Sequence, residues 1–315
     1  MTGKIDTERL CADEAGIARA VEILVGGGLV AVPTETVYGL AVRADQAEAV
    51  ARIYEAKGRP SFNPLIVHVA DAASAGRLAQ MDDRAEKLAG QYWPGPLTMV
   101  VPLLDNAEIA PAVTGGLATI GLRVPAHPVM QAVLTKAGLP LAAPSANRSE
   151  TISPTSADHV LATLDGRIDA VIDAGQCERG LESTIVALRD LGRWNMLRPG
   201  PNAHADLETL LGPEAVVGDM GIEAPGQLAR HYAPGKPMRL DASEASEGEF
   251  LIGFGAVAGD VSLSVSGDLV EAASRLYSCL HGAALSPATR IAVAPVPNMG
   301  VGLAINDRLR RAATP

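Results

Sequence analysis

The sequence predicts an α/β protein: a mixed, twisted sheet flanked by helices, followed by a small C-terminal Rossmann-like α/β domain. Three observations carry this. Short apolar runs of strand length alternate with amphipathic helical segments. Several of those runs follow one another with no room for a helix between them, which a purely parallel sheet cannot accommodate. From residue 213 to about 245 the chain turns rich in Gly, Pro, Ser and Glu, and a compact β-α-β-α pattern resumes beyond.

In chain order, Ile17, Ala20, Val21, Leu24 and Val25 share one helical face, and Gly26-Gly27-Gly28 stops that helix. "LVAVP" then reads as a buried strand. Asp45 and Glu48 resemble a capping box opening a helix through about Ala56. Its C-terminal end delivers Lys57-Gly58-Arg59 ahead of the strand "PLIVHVA". Further short strands are read at "LTMVVPL", "ATIGLRVP", "PLAAP", "IDAVIDAG", "STIVAL" and "WNMLRPG". Past the connector, "FLIGFGAV" and "RIAVAPV" are strands. Leu269, Ala272, Ala273, Leu276, Tyr277 and Leu280 line one helix, and "GLAINDRLRRAA" supplies the last.

Composition bounds the function. The chain has 315 residues, 48% hydrophobic but only 3% aromatic, so aliphatic side chains must fill the core. A net charge of -10 and a pI near 5.1 argue against broad nucleic-acid binding, though not against one local basic pocket. No apolar run reaches the roughly 18 residues of a bilayer span, and the N-terminus lacks a secretory apolar region. Cys11, Cys177 and Cys279 are widely spaced and form no metal-ligand pair. A reduced, cytoplasmic protein is expected, without membrane attachment.

Familiar catalytic motifs are missing. There is no G-x-x-x-x-G-K-[ST], no H-E-x-x-H and no G-x-S-x-G, and "GFGAVAG" has one residue too many for a dinucleotide fingerprint. Four features remain. "PTETVYGLAV" breaks a strand into a turn carrying Thr34, Glu35, Thr36 and Tyr38. The Lys57/Arg59 turn sets a point charge beside a planar fork suited to phosphate. "AAPSANRS" places Ser145 and Asn147 after a strand, and "LESTIV" with "LRPG" places Ser183 and Arg198 near strand ends. Singly, each has a plain structural explanation: a helix-ending turn, an Asx turn, strand-edge hydroxyls. Together, small polar groups and cations at strand termini are what a phosphate-bearing ligand requires.

The ordered blocks "PTETVYGL", "KGRP…NPLIVHV", "WPGPLT", "GLRVPAHP", "PSAN", "SPT", "GLESTIV", "LRPG" and "HYAP" resemble the threonylcarbamoyl-AMP synthase family, with its YrdC-like catalytic domain. The resemblance covers about residues 15–235. The tail looks like the extra domain of the longer, two-domain members. It implies residues 1–212 as the catalytic domain, 213–245 as linker and active-site flap, and 246–315 as the C-terminal domain.

The same resemblance implies that L-threonine, bicarbonate or carbon dioxide, and ATP with Mg2+ are joined into threonylcarbamoyl-adenylate and pyrophosphate. A downstream tRNA threonylcarbamoyl transferase complex would then modify tRNA adenosine 37, with no direct tRNA binding by this chain. Lys57, Arg59, Ser145 and Asn147 fall on the family's signature as catalytic residues. Arg59, Asn63, Thr119, Ser145, Ser153, Arg198 and Tyr232 fall on the nucleotide contacts. Thr36, His68, Arg123, the backbone at Ala143, and Ser183 fall on the threonine contacts. No metal ligand is expected from protein side chains. The competing expectation is an RNA-binding or ribosome-associated module of the same fold. One departure stands out: Ser149-Glu150 replaces the family's Ser-Gly after the "SAN" turn, which should shift that loop's conformation.

Overall fold

The computed structural model describes residues 6–216, 221–227 and 231–314. The first part contains β1 (Glu8–Cys11), α1 (Glu14–Val25), β2 (Val30–Val32), β3 (Gly39–Arg43), α2 (Ala47–Lys57) and β4 (Ile66–His68). Next come α3 (Ala72–Gly76), α4 (Asp83–Tyr92), β5 (Leu97–Pro102), α5 (Pro111–Thr114), β6 (Thr119–Arg123), α6 (Pro128–Ala137) and β7 (Leu141–Ala142). α7 (Ala157–Leu164), β8 (Ala170–Asp173), β9 (Thr184–Leu188), β10 (Trp194–Arg198) and α8 (His204–Leu211) complete it. The second part contains β11 (Met238–Arg239), β12 (Glu249–Gly253), β13 (Val261–Ser262), α9 (Leu269–Leu285), β14 (Arg290–Val293) and α10 (Gly302–Ala312).

The large sheet has ten strands in the order β1-β8-β2-β3-β7-β4-β6-β5-β9-β10 and is mixed, as consecutive strand-like runs require. The β2–β3, β5–β6 and β9–β10 neighbours are antiparallel, while β4–β6 and β5–β9 run parallel. Strand alternation divides the core between two faces. Val30 and Val32 pack with Ala20 and Leu24 of α1 and Val133 of α6, while Ala31 faces Val50 and Ile53 of α2. The small sheet is wholly parallel, ordered β11-β14-β12-β13, with α9 and α10 packed on it.

Local chemistry sets the helix ends. Asp13 caps α1 by accepting from the Gly16 amide at 2.8 Å. Val25, expected on the buried face, is exposed, because it lies at the rim of that stripe on the last turn. The capping box expected at Asp45 and Glu48 is absent. Gln46 is the cap residue and makes no side-chain cap bond, because Asp45 is taken by a two-pronged pair with Arg43 at 2.8 and 2.7 Å. α2 ends on Gly58 at φ 62°, and this left-handed residue turns the chain so that Arg59 enters the interior.

Candidate active site

A recess of about 530 Å³, its open mouth included, lies where the ends of β4, β6, β7 and β9 meet Pro225, Gly226, His231 and Tyr232. Its floor starts at the β2–β3 connection. There the Thr34 hydroxyl sits 2.8 Å from that of Thr36, donates to the Val37 carbonyl and accepts from the Thr36 and Val37 amides. This local network fixes both hydroxyls in a buried turn.

His68 and Arg123 are register partners on β4 and β6, so sheet pairing sets them side by side. Among the described residues, His68 Nδ1 is buried without a partner. Burial, reinforced by the Arg123 charge, pushes the imidazole down to about 3, so it is neutral near pH 7. The Arg123 guanidinium is oriented from behind: Nη2 donates to Glu35 Oε1 at 2.5 Å and Nε to the Gly95 carbonyl at 3.2 Å. Glu35 Oε2 accepts from the Ala126 amide at 3.0 Å. Burial pushes the Glu35 carboxyl up, but the Arg123 charge and these donors outweigh it and hold it below the usual range.

Opposite stand Arg59 and Arg198. Arg59 Nη2 donates to the Pro64 carbonyl at 2.9 Å, which locks the guanidinium into its own loop, and burial lowers it to about 10. Arg198 Nε and Nη2 both reach Ser183, at its carbonyl and hydroxyl, each at 3.1 Å. The Ser183 hydroxyl also lies 2.7 Å from that of Thr98. Tyr232 and His231 cover the recess, their rings 4.0 Å apart, with Tyr232 at φ 64°. Three arginines, a neutral histidine, small hydroxyls and an aromatic cover can bind a polyanion beside a small polar molecule.

The residues singled out from the sequence divide in two. Arg59, Ser145, Arg198, Tyr232, Thr36, His68, Arg123, Ala143 and Ser183 line the recess. Lys57, Asn147, Asn63, Thr119 and Ser153 do not line it and stand behind its wall or apart from it. Lys57 is fully enclosed, and its Nζ donates to the Ser145 carbonyl at 2.5 Å and to the Asn147 carbonyl. Asn147 Nδ2 donates to the Thr151 carbonyl at 2.8 Å, while Asn63 lends its carbonyl to Arg59 and Tyr54. Thr119 opens β6 opposite Pro102, and the Ser153 hydroxyl donates to Glu182 at 2.6 Å.

Sequence reasoning passed over Glu35's pairing, His231 and Glu182. Glu182 lines the recess and is 5% exposed, yet it sits just ahead of "STIVAL", the run read as strand, in a block singled out only for Ser183. The signal was a lone carboxylate at the start of a buried strand, which folds inward only when partnered.

Residues 22–200 match the Sua5/YciO/YrdC family model, described as telomere recombination, and residues 203–314 match the model for the threonylcarbamoyl-AMP synthase C-terminal domain. The chain is 37% identical to the threonylcarbamoyl-AMP synthase of Bacillus subtilis, over 98% of this chain and 95% of that one. It is 38% identical to the protein of that name from Pyrococcus abyssi, over 96% and 95%. The crystal structure of P. abyssi Sua5 complexed with L-threonine superposes with a TM-score of 0.88 at 35% identity, covering 98% of this chain and 97% of that one.

Proposed function

The chain belongs to the threonylcarbamoyl-AMP synthase family, and from that premise we propose that it condenses L-threonine, bicarbonate or carbon dioxide, and ATP into L-threonylcarbamoyl-adenylate and pyrophosphate. One observation carries the reading: Arg59 and Arg198 open onto the same recess as Thr36, His68, Arg123 and Ser183.

The chemistry needs no protein nucleophile. The threonine amine loses a proton and adds to carbon dioxide, forming a carbamate. A carbamate oxygen then attacks the α-phosphorus and pyrophosphate leaves. What the chain supplies is alignment, for which effective positioning is worth roughly 7–11 kcal/mol. In this reading Arg123 clamps the threonine carboxylate, and the Ala143 backbone completes the amino-acid pocket. The hydroxyls of Thr36 and Ser183, with neutral His68, select the substrate's own hydroxyl. Arg59, Arg198, Ser145 and Tyr232 hold the nucleotide, and Asn63, Thr119 and Ser153 support that side. Lys57 and Asn147 act through the main chain of the Ser145 turn.

A magnesium ion carried by ATP would offset charge on the leaving pyrophosphate. Glu35 is engaged by Arg123, and Glu182 by Ser153, Tyr277 and Arg308, so these carboxylates suit pocket building better than metal ligation. The product, a reactive mixed anhydride, would pass to a tRNA threonylcarbamoyl transferase complex.

The test is pyrophosphate release from ATP in bicarbonate buffer with and without threonine. Threonine-dependent release, falling by about 10²–10³ in Arg59→Ala, is the expected result, the size of a lost charge-stabilising donor. Release that ignores threonine, or that survives Arg59→Ala undiminished, would overturn the reading.

A further inference from the structure

We infer that Arg308 and Tyr277, both from the C-terminal part of the chain, are positioning residues for ATP: they neutralise and hold the Glu182 carboxylate in the wall of the nucleotide pocket. The inference rests on ATP being the substrate, as proposed above.

Glu182 immediately precedes Ser183, and its carboxylate is fully engaged. Oε1 accepts from the Ser153 hydroxyl at 2.6 Å, the Tyr277 hydroxyl lies 2.9 and 2.8 Å from the two oxygens, and Arg308 Nε reaches Oε2 at 3.0 Å. Tyr277 comes from α9 and Arg308 from α10, so both are remote in sequence from the wall they hold. Arg308 has no exposed surface. Asp307 Oδ2 accepts from its Nη1 at 2.8 Å, and its guanidinium carbon lies 5.6 Å from the centre of the Tyr232 ring. The Tyr277 ring lies 5.5 Å from that same Tyr232 ring. Two side chains thus grip the pocket wall by their polar ends and support its aromatic cover by their faces.

The electrostatics explain why the grip matters for nucleotide. An uncompensated carboxylate in this wall would repel a triphosphate and would compete for Arg198, whose Nη2 now reaches Ser183. Arg308 supplies the counter-charge from outside the recess and leaves Arg198 available. Threonine, held on the Arg123 side, should feel little of this.

The experiment compares full-length parent, Arg308→Met, Tyr277→Phe and the double variant Glu182→Gln/Arg308→Met by threonine-dependent pyrophosphate release, with melting curves alongside. Arg308→Met should raise KM for ATP by about tenfold while KM for threonine moves by less than about threefold. The double variant, which removes both charges, should return KM for ATP to within about threefold of the parent. An unchanged KM for ATP in Arg308→Met, equal rises in both KM values, or no recovery in the double variant overturns the inference. If Arg308→Met does not fold, Tyr277→Phe decides. A rise of about threefold in KM for ATP alone supports the grip, and no rise overturns it. Should the parent release no pyrophosphate, the functional reading itself fails. Calorimetric titration with a non-hydrolysable ATP analogue, parent against the same variants, then decides the inference separately.

Discussion

Lys57 donates from its Nζ to the main-chain carbonyl of Ser145 at 2.5 Å, bridging the end of α2 to the turn after β7, 88 positions away in the chain. The same nitrogen reaches the Asn147 carbonyl, and the Ser149 amide returns a bond to the Lys57 carbonyl at 2.8 Å. The lysine of the "KGRP" turn is thus a clasp that shapes the serine–asparagine bend, while Arg59 is the side chain that faces the recess. Lys57→Met keeps the length and apolar stem but takes the ammonium donor from the Asn147 carbonyl and leaves the Ser145 carbonyl only its bond from the Asn147 amide at 3.0 Å. It should lower stability by about 1–3 kcal/mol. Turnover should drop at least about tenfold through displacement of Ser145. Chemical denaturation and steady-state assays check the two effects, and full activity in Lys57→Met would show that the bend holds its own shape.

What the sequence made legible, and what it hid, follows from range. The Gly58 turn, the Pro144 bend and the strands "LTMVV" and "STIVAL" announce themselves through neighbours a few positions away, and they stand where expected. β11 and β13 are two-residue strands whose pairing comes wholly from their neighbours in the small sheet, so no local period marks them. β1 is an edge strand with mostly exposed side chains, which reads as polar chain. Glu35 and Glu182 were invisible as buried anions because their partners, Arg123 and Arg308, lie 88 and 126 positions downstream. A charge inside an apolar run can be noticed in sequence. Its counter-charge has to be found in the fold.

Glu150 adopts φ 69°, the left-handed conformation that glycine takes without cost. Its carbonyl accepts from the Ala233 amide at 2.8 Å, next to Tyr232, so the strained residue ties its main chain to the cover of the recess. Glu150→Gly should keep that bond and relieve the strain, offset in part by a freer unfolded chain. A net gain of about 0.5–1 kcal/mol is expected, read from a denaturant midpoint at unchanged slope. A loss of stability would mean that the glutamate side chain contributes more than its backbone costs.

His159 and His281 stack at 3.8 Å between ring centres, joining α7 to α9. His281 Nε2 lies 3.2 Å from the Ser153 carbonyl. Burial, together with the neighbouring His159, lowers His281 to about 4, and burial lowers His159 as well. Unfolded histidine titrates near 6.5, so between pH 6.5 and 4 the unfolded chain binds protons that the folded chain refuses. Stability therefore falls as pH falls through that window, by up to about 3 kcal/mol for His281. His281→Gln should flatten the decline in melting temperature between pH 6.5 and 4 relative to the parent. Parallel curves for the two proteins would show that the stack is not the acid-sensitive element.

Glu35 and Arg123 form the buried pair that orients the His68–Arg123 side of the recess, where we place threonine, each side chain being 5–7% exposed. Glu35→Gln keeps the volume but replaces a carboxylate that serves two donors, Arg123 Nη2 and the Ala126 amide, with one carbonyl oxygen. Two effects oppose each other. Arg123 gains unshared positive charge for a carboxylate ligand, yet it loses the partner that fixes its plane. Loss of orientation should dominate, because breaking one side of a buried ion pair costs about 3–5 kcal/mol, more than a freed charge returns in a solvated recess. The expected outcome is a lower melting temperature and a KM for threonine raised by about tenfold, with KM for ATP nearly unchanged. The pH dependence gives an independent readout. Glu35 is held below its ordinary range, so its contribution is complete above the unfolded value of 4.5 and is lost as pH falls through the folded one. Glu35→Gln should remove that part of the acid sensitivity, and a variant that binds threonine more tightly than the parent would show that Arg123 is oriented without its carboxylate.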